Sequence, residues 1–225
     1  LQALMNFEQL MNCLQFMIIA GYLGGRIGFL LSESDKWSDY IMLVQFWLPG
    51  LSILGSIVGV VIVLMWYLKL QKIPILPFLD RLSIYAPLAQ SFGRLGCFLT
   101  GCCYGMRTHF WWAVTYTHVN HVAPLNIGLH PTQIYSALLL LFFFCLFYWV
   151  LQFYINRPGI LFFLYLALIS LERFLIDFFR WDRVYFCNDR FNFLSVHQWI
   201  ALGLLCCSVV GIFCLHKKRK SYGSF

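Results

Sequence analysis

Charge is scarce in this sequence. Only 11% of its 225 residues are Asp, Glu, Lys or Arg, and nine of those are acidic. Soluble domains carry ~25% charged residues. A chain that is 61% hydrophobic, with a mean hydropathy of +0.75, cannot bury its apolar surplus in a water-soluble core. A bilayer has to be part of its solvent. The sequence also lacks a basic face on any polar module, so its net charge of +7 does not point to a nucleic-acid partner. Internal repeats and low-complexity tracts are absent. The start, at Leu1 rather than Met, lacks the pattern of a cleavable signal peptide. No series of spans is lined with charge, which counts against a channel or transporter.

What the sequence does have is apolar length. Six runs approach the ~20 residues that cross a ~30 Å hydrocarbon core: Met11–Leu31, Leu51–Leu68, Leu82–Phe98, Thr132–Tyr154, Gly159–Phe179 and Val196–Leu215. The expected fold is all-α, a polytopic membrane bundle of about six transmembrane helices forming one domain over residues 1–225. The third run is the shortest and the most interrupted by Gly and Pro, so a bent or partly re-entrant segment is an option there. Eight Lys and Arg (69, 72, 81, 157 and 217 to 220) fall on one side, and five (36, 107, 180, 183 and 190) on the other. The positive-inside rule then puts both termini in the cytoplasm. The far-side loops, 32–50, 104–131 and 180–195, hold most of the Trp, His and Asn residues and suit recognition of a lipid headgroup or an extracytoplasmic partner.

Three basic residues remain: Arg26, Arg94 and Arg173, all inside expected spans. An Arg at mid-bilayer costs roughly 2.5–3.5 kcal/mol on insertion scales, so such residues face protein or a wet cavity and are functional candidates. In the segment from Glu172 to Arg180, a continuous helix would put Arg173, Asp177 and Arg180 at i, i+4 and i+7, on one face. Two cations around a carboxylate can hold a phosphate; the alternative is a salt-bridged helix end. Arg94 lies between Gly93 and Gly96, with Gly101 and Gly105 following. Glycines there permit either close approach of a ligand or tight helix packing. Arg26, between Gly24 and Gly28, either lines a site in the same way or snorkels to the interface. His130-Pro131-Thr132-Gln133-Ile134-Tyr135 leads into the fourth span. There Pro131 starts the helix, and His130 is either a headgroup ligand or base or a cap.

Nine cysteines raise the question of disulfides or a metal. Cys13, Cys145, Cys206, Cys207 and Cys214 lie inside apolar runs, where a thiol behaves as a small hydrophobe. Cys97, Cys102, Cys103 and Cys187 lie near polar segments. The spacings of Cys97, Cys102, Cys103 and His109 are not those of a zinc ribbon or knuckle. They read as packing thiols, and no metal is expected.

Taken in order, these motifs resemble those of prolipoprotein diacylglyceryl transferases. The matching pieces are Gly24 to Gly28, Gly50 to Gly59, Gly93-Arg94-Leu95-Gly96, His130 to Tyr135, Arg173 to Arg180, and Ser195-Val196-His197-Gln198. They run from about residue 15 to the last span. The resemblance implies an enzyme of the bacterial inner membrane that moves diacylglycerol from phosphatidylglycerol to the lipobox cysteine thiol of a lipoprotein precursor, releasing glycerol 1-phosphate. It implies that Arg94 and Arg173 grip the phosphate and stabilise charge on the leaving group. Asp177 and Arg180 would support them, and Arg26, Gly93, Gly96, His130, Gln133 and Tyr135 would line the substrate cavity. The nucleophile is a substrate thiol, so neither an enzyme nucleophile nor a cofactor is implied.

The departures are specific. A His proposed to assist catalysis in the family is Leu54 here, and its glycine pair is Gly55-Ser56. Two Asn and a Glu of its signature are Cys97, Thr100 and Cys102. The family's first span has no counterpart, so six spans stand for seven, and the insert after the signature is short. Arginine alone can lower a thiol pKa from its usual ~8.5, which leaves the transfer chemistry open. Two further readings stand beside it: a same-fold protein acting on a different lipid or acceptor, and a non-catalytic phospholipid-binding membrane protein.

Overall fold

In the computed structural model, residues 4–33, 52–119, 121–155, 157–185 and 193–222 are described, with backbone only at 53 and 218–222. Expectations that fall on 34–51 and 186–192, including those for Lys36, Gly50, Leu51, Cys187 and Arg190, lie outside the described residues. The chain forms two compact units, Leu1–Phe78 and Leu79–Phe225.

The first unit is built on α1 (Phe7–Glu33) and α2 (Ile53–Leu70). Their backbones meet along a stripe of small residues. A Cβ on Gly24 would lie 2.5 Å from the Gly55 carbonyl oxygen, one on Gly55 2.2 Å from that of Gly24, and one on Gly59 2.5 Å from that of Ala20. Partners fall in number on α2 as they rise on α1, so the two helices run antiparallel. Without a strong hydrophobic effect between helices in lipid, such close approach is a main source of helix affinity. The Ser52 side chain caps α2 by accepting from the Gly55 N–H at 3.4 Å, and the Ser52 N–H donates to Gly25 O at 2.9 Å. The glycines around Arg26 therefore serve α1–α2 packing. Arg26 itself is 1% exposed, so it does not snorkel.

The second unit contains most of α3 (Ile75–Thr100), then β1 (Val114–Thr115) and β2 (Gly128–Leu129), α4 (Thr132–Leu146), a π-helical turn (Phe147–Leu151), α5 (Gln152–Tyr154), α6 (Ile160–Asp177) and α7 (Val196–Tyr222). The third segment is neither short nor re-entrant. It forms one 26-residue helix that keeps Pro87 in its interior. Its extra first turns carry Asp80, a residue that looks costly in a span. The Asp80 carboxylate accepts from the Gly159 N–H, and from the Phe162 N–H at 2.8 Å. It thus caps the start of α6, where Gly159 takes φ +94°. Burial of Ile84, Leu140, Phe143, Phe147 and Leu161 binds α3, α4 and α6 together.

Among the described residues, three helical stretches, Phe7–Leu31, Thr132–Tyr154 and Val196–Lys217, are long and apolar enough to cross a membrane by themselves. Their outer faces expose residues such as Ile18, Phe142, Phe153, Val210 and Phe213, as lipid-facing surfaces do. The protein is an all-α membrane bundle. Its one small sheet pairs Val114 with Leu129 and Thr115 with Gly128, antiparallel, in the loop between α3 and α4.

Candidate active site

Four helix ends meet at one end of the second unit: the last turns of α3 and α6 and the first turns of α4 and α7. The chain between α3 and α4 ties them together. Gly105 N–H donates to His130 O at 3.0 Å, His130 N–H to Met106 O at 3.0 Å, and Met106 N–H to Phe179 O at 2.8 Å. A Cβ on Gly105 would lie 2.6 Å from His130 Cβ and 2.8 Å from Phe179 O, so only glycine fits this crossing.

The last turn of α3 closes in a Schellman motif. Gly101, at φ +71°, donates to Phe98 O at 3.2 Å, and the Cys102 N–H donates to Cys97 O at 3.1 Å. This 6→1 and 5→2 pair folds the chain back over its own helix. Cys103 then takes φ +58°, a left-handed conformation that costs a non-glycine residue roughly 1–2 kcal/mol. The first turn of α4 holds it there. Thr132 Oγ1 donates to Cys103 O at 2.8 Å, and Gln133 Nε2 to Cys102 O at 2.6 Å. Gln133 Oε1 is buried with no hydrogen-bond partner among the described residues, which leaves an acceptor for a bound molecule.

Arg173, on α6, stands within electrostatic reach of Arg94 on α3 and of Arg180 beyond α6. Glu172 beside it is 2% exposed and accepts from the buried Ser136 hydroxyl on α4. The carboxylates of Asp177 and Glu172 act on Arg173 in the opposite sense to those cations, and Arg180 is paired with Asp182, so the two arginines left for an anion are Arg94 and Arg173. Gly93 and Gly96 flank Arg94 on an open surface, where an added Cβ would meet nothing within 4 Å. Among the described residues of the second unit no helix packs on them, unlike the glycines of α1 and α2 within the first.

The expected helical face of Arg173, Asp177 and Arg180 is corrected. α6 ends at Asp177, so Arg180 lies past the helix, and its Nε donates to Asp182 Oδ1 at 2.7 Å, with a second contact from Nη2 to Oδ2. That hydrogen bonding holds the Asp182 carboxyl below the usual carboxylate range, against the opposing effect of burial. Asp177 is buried, accepts from the Ser195 hydroxyl, and has Arg183 Nε at 3.7 Å. Ser195 and Gln198 form a reciprocal capping box at the start of α7: Gln198 N–H to Ser195 Oγ at 3.1 Å, and Ser195 N–H to Gln198 Oε1 at 2.9 Å. Gln198 also accepts from Arg183 Nη2 at 3.0 Å. Arg183, Asp182, Glu172 and Ser136 were not among the expected site residues. A buried acid next to Arg173 was the one signal that pointed to Glu172.

His130 is not a side-chain cap. Its Nδ1 lies 3.1 Å from Tyr135 Oη, which accepts from Trp112 Nε1 at 2.6 Å. The ring packs against Phe110 and Phe179, with centroids 5.9 and 5.6 Å away. Arg94, Arg173, Arg180, Asp177, His130, Gln133 and Tyr135 thus belong to one end of the second unit, whereas Arg26 belongs to the first unit.

Residues 2–214 match the family described as "Prolipoprotein diacylglyceryl transferase". The chain belongs to the prolipoprotein diacylglyceryl transferase family. A "Phosphatidylglycerol--prolipoprotein diacylglyceryl transferase" of Clostridium tetani is 34% identical over 216 residues, covering 95% of this chain and 82% of the relative. A relative of the same name from Dehalococcoides mccartyi is 32% identical over 193 residues, covering 85% and 71%. One from Clostridium perfringens, whose name ends in the numeral 2, is 30% identical over 204 residues, covering 89% and 76%.

Proposed function

We propose that the protein is a phosphatidylglycerol–prolipoprotein diacylglyceryl transferase of the bacterial inner membrane, with both termini in the cytoplasm. The observation that carries the reading is that Arg94 and Arg173, from different helices, stand within electrostatic reach of one another. With Arg180 engaged by Asp182, these two guanidiniums match the phosphodiester of an anionic phospholipid. In this mechanism the thiol sulfur of the lipobox cysteine attacks the glyceryl carbon next to the phosphate. A C–S bond forms, the C–O bond breaks, the electron pair leaves with glycerol 1-phosphate, and the thiol proton passes to water or to the departing phosphate. Arg94 and Arg173 stabilise the charge gathering on the departing phosphate. Gln133, through its free Oε1, and His130, oriented by Tyr135, position the glyceryl hydroxyls. Gly93 and Gly96 admit the headgroup beside Arg94.

Leu54, at the position of the family's His, favours one second reading, a protein of the same fold that serves a different acceptor. Transfer from radiolabelled phosphatidylglycerol to a lipobox peptide by the purified protein separates the two. Under the transferase reading, label appears on the peptide cysteine and falls by about 10²–10³-fold in Arg94→Ala or Arg173→Ala, the scale for losing a transition-state charge stabiliser. No label, with phosphatidylglycerol still bound, supports the second reading.

A further inference from the structure

The fold brings Cys97 against the adjacent pair Cys102 and Cys103. The sulfur atoms of Cys97, Cys102 and Cys103 all lie within 4.8 Å of one another. A tetrahedral zinc ion with ~2.3 Å Zn–S bonds needs sulfurs about 3.8 Å apart, which small rotamer adjustments reach. We propose that Cys97, Cys102 and Cys103 form a three-thiolate site for one zinc ion, with a fourth position open to an incoming thiol.

Several features distinguish this cluster from a buried thiol such as Cys13, which is 1% exposed within α1. Cys97, Cys102 and Cys103 are instead partly exposed and turned towards one another. Their approach is built by the backbone, because the Schellman motif sets its C3 residue, Cys97, against its C″ residue, Cys102. Strain at Cys103, with φ +58°, brings in the third sulfur, and strain of this kind persists where surrounding bonds over-determine it. Those bonds are the ones from Thr132 Oγ1 and Gln133 Nε2 to the carbonyls of Cys103 and Cys102, at 2.8 and 2.6 Å. Thr100 Oγ1, whose one proton is shared with the carbonyls of Gly96 and Cys97 at 3.3 and 3.1 Å, lies 3.3 Å from Cys102 Sγ. Finally, three thiolates around a divalent ion carry one net negative charge, and Arg94 and Arg180 lie within electrostatic reach of Cys97 and Cys103 respectively.

The donor set selects the metal. Thiolates favour zinc, copper(I) and iron–sulfur clusters over hard cations. Three protein ligands with partial exposure match the pattern of a zinc site that keeps a position for substrate. Resting on the transferase reading, that substrate is the acceptor thiol. On binding it loses its proton to water, because a thiol coordinated to zinc is deprotonated. Its sulfur then attacks the glyceryl carbon as described above, with no net oxidation or reduction. The arrangement supplies a thiolate beside the phosphate-binding arginines in a chain that has Leu54 where the family has His.

The test uses the full chain, purified in detergent under reductant and checked for helicity by circular dichroism. Zinc content is measured by mass spectrometry, and cobalt(II) is added to metal-free protein to look for thiolate-to-cobalt charge-transfer absorption. One zinc per chain and the cobalt band are expected, with affinity weakened at least about tenfold in Cys97→Ser, Cys102→Ser and Cys103→Ser, and unchanged in Cys145→Ser. Zinc uptake no greater than that of the triple Cys→Ser variant would overturn the site, as would copper(I) binding with neither zinc nor cobalt. Both readouts are independent of lipid transfer. Transfer that survives chelation and the triple substitution would remove the metal's role and leave the transferase reading standing. One bound zinc on these cysteines without any transfer would uphold the site and remove the transferase reading.

Discussion

At the scale of residues, glycine divides into two kinds. A Cβ on Gly93 or Gly96 would meet nothing within 4 Å, whereas one on Gly105 would lie 2.6 Å from His130 Cβ. Gly93→Ala and Gly96→Ala should therefore leave the thermal midpoint in detergent unchanged while lowering phosphatidylglycerol turnover. Gly105→Ala should lower both, by about 1–3 kcal/mol in stability, the cost of overpacking. A Gly93→Ala variant with full activity would mean that no substrate approaches α3 there. The Arg180–Asp182 pair gives a pH dependence of definite sign. Its hydrogen bonds depress the Asp182 carboxyl in the folded state, below the ~3.9 of an unfolded Asp. The stabilisation is thus present above that unfolded value and is lost as pH falls through the depressed one. The Asp182 side chain is 53% exposed, so the contribution is under about 1 kcal/mol. Thermal midpoints of wild type and Asp182→Asn, measured against pH, should differ slightly near neutrality and converge well below pH ~4. Curves that stay parallel down to the lowest pH would show that the pair contributes no such linkage.

At the scale of elements, the sequence located the helices because apolar length is a strong signal, and the six expected runs coincide with α1, α2, α3, the α4–α5 run, α6 and α7. It made α3 too short because the run was read as interrupted by Gly and Pro, Pro87 among them. Nothing local reveals that the Asp80 carboxylate caps a helix starting seventy-nine residues later, at Gly159. Arg94 and Arg173 were legible as candidates because a charge inside a span is costly. The pairing of Asp177 with Arg183 was not, because helical spacing pointed to Arg180 and the chain leaves the helix before reaching it. The thiol cluster was hidden for a similar reason: ligand spacing in sequence says little when a Schellman reversal sets the distances. The α1–α2 stripe provides the test at this scale. A Cβ on Gly55 would lie 2.2 Å from a backbone carbonyl oxygen of α1, and no rotamer relieves a clash with backbone. Gly55→Val should cost more than the ~1–3 kcal/mol of ordinary overpacking, seen as loss of the thermal midpoint and of monodisperse protein. Val58→Ala, at a lipid-exposed position on the same helix (57% exposed), should change little. Equal behaviour of the two would mean that the glycine stripe does not hold the helices together.

At the scale of the whole molecule, the direction of the second unit fixes where the chemistry happens. The site lies where α3 and α6 end and α7 begins, so the C-terminal end of α7, with Lys217 in its last turns, points to the opposite face. Within the second unit, Arg81, Arg157 and the basic run from Lys217 to Lys220 lie at that opposite end, and Arg107, Arg180 and Arg183 at the end of the site, so under the proposed orientation the site faces the extracytoplasmic side. A green fluorescent protein fused after Phe225 should fluoresce, and alkaline phosphatase fused there should be inactive. Alkaline phosphatase inserted after Val119, which is 82% exposed in the loop between β1 and β2, should be active. The reverse pattern would turn the site towards the cytoplasm, where a thiol acceptor would have to be met before its export. With the expected pattern, Arg94, Arg173 and the three cysteines meet acceptors that have already crossed the membrane, and the phospholipid must reach them from the outer leaflet of that membrane.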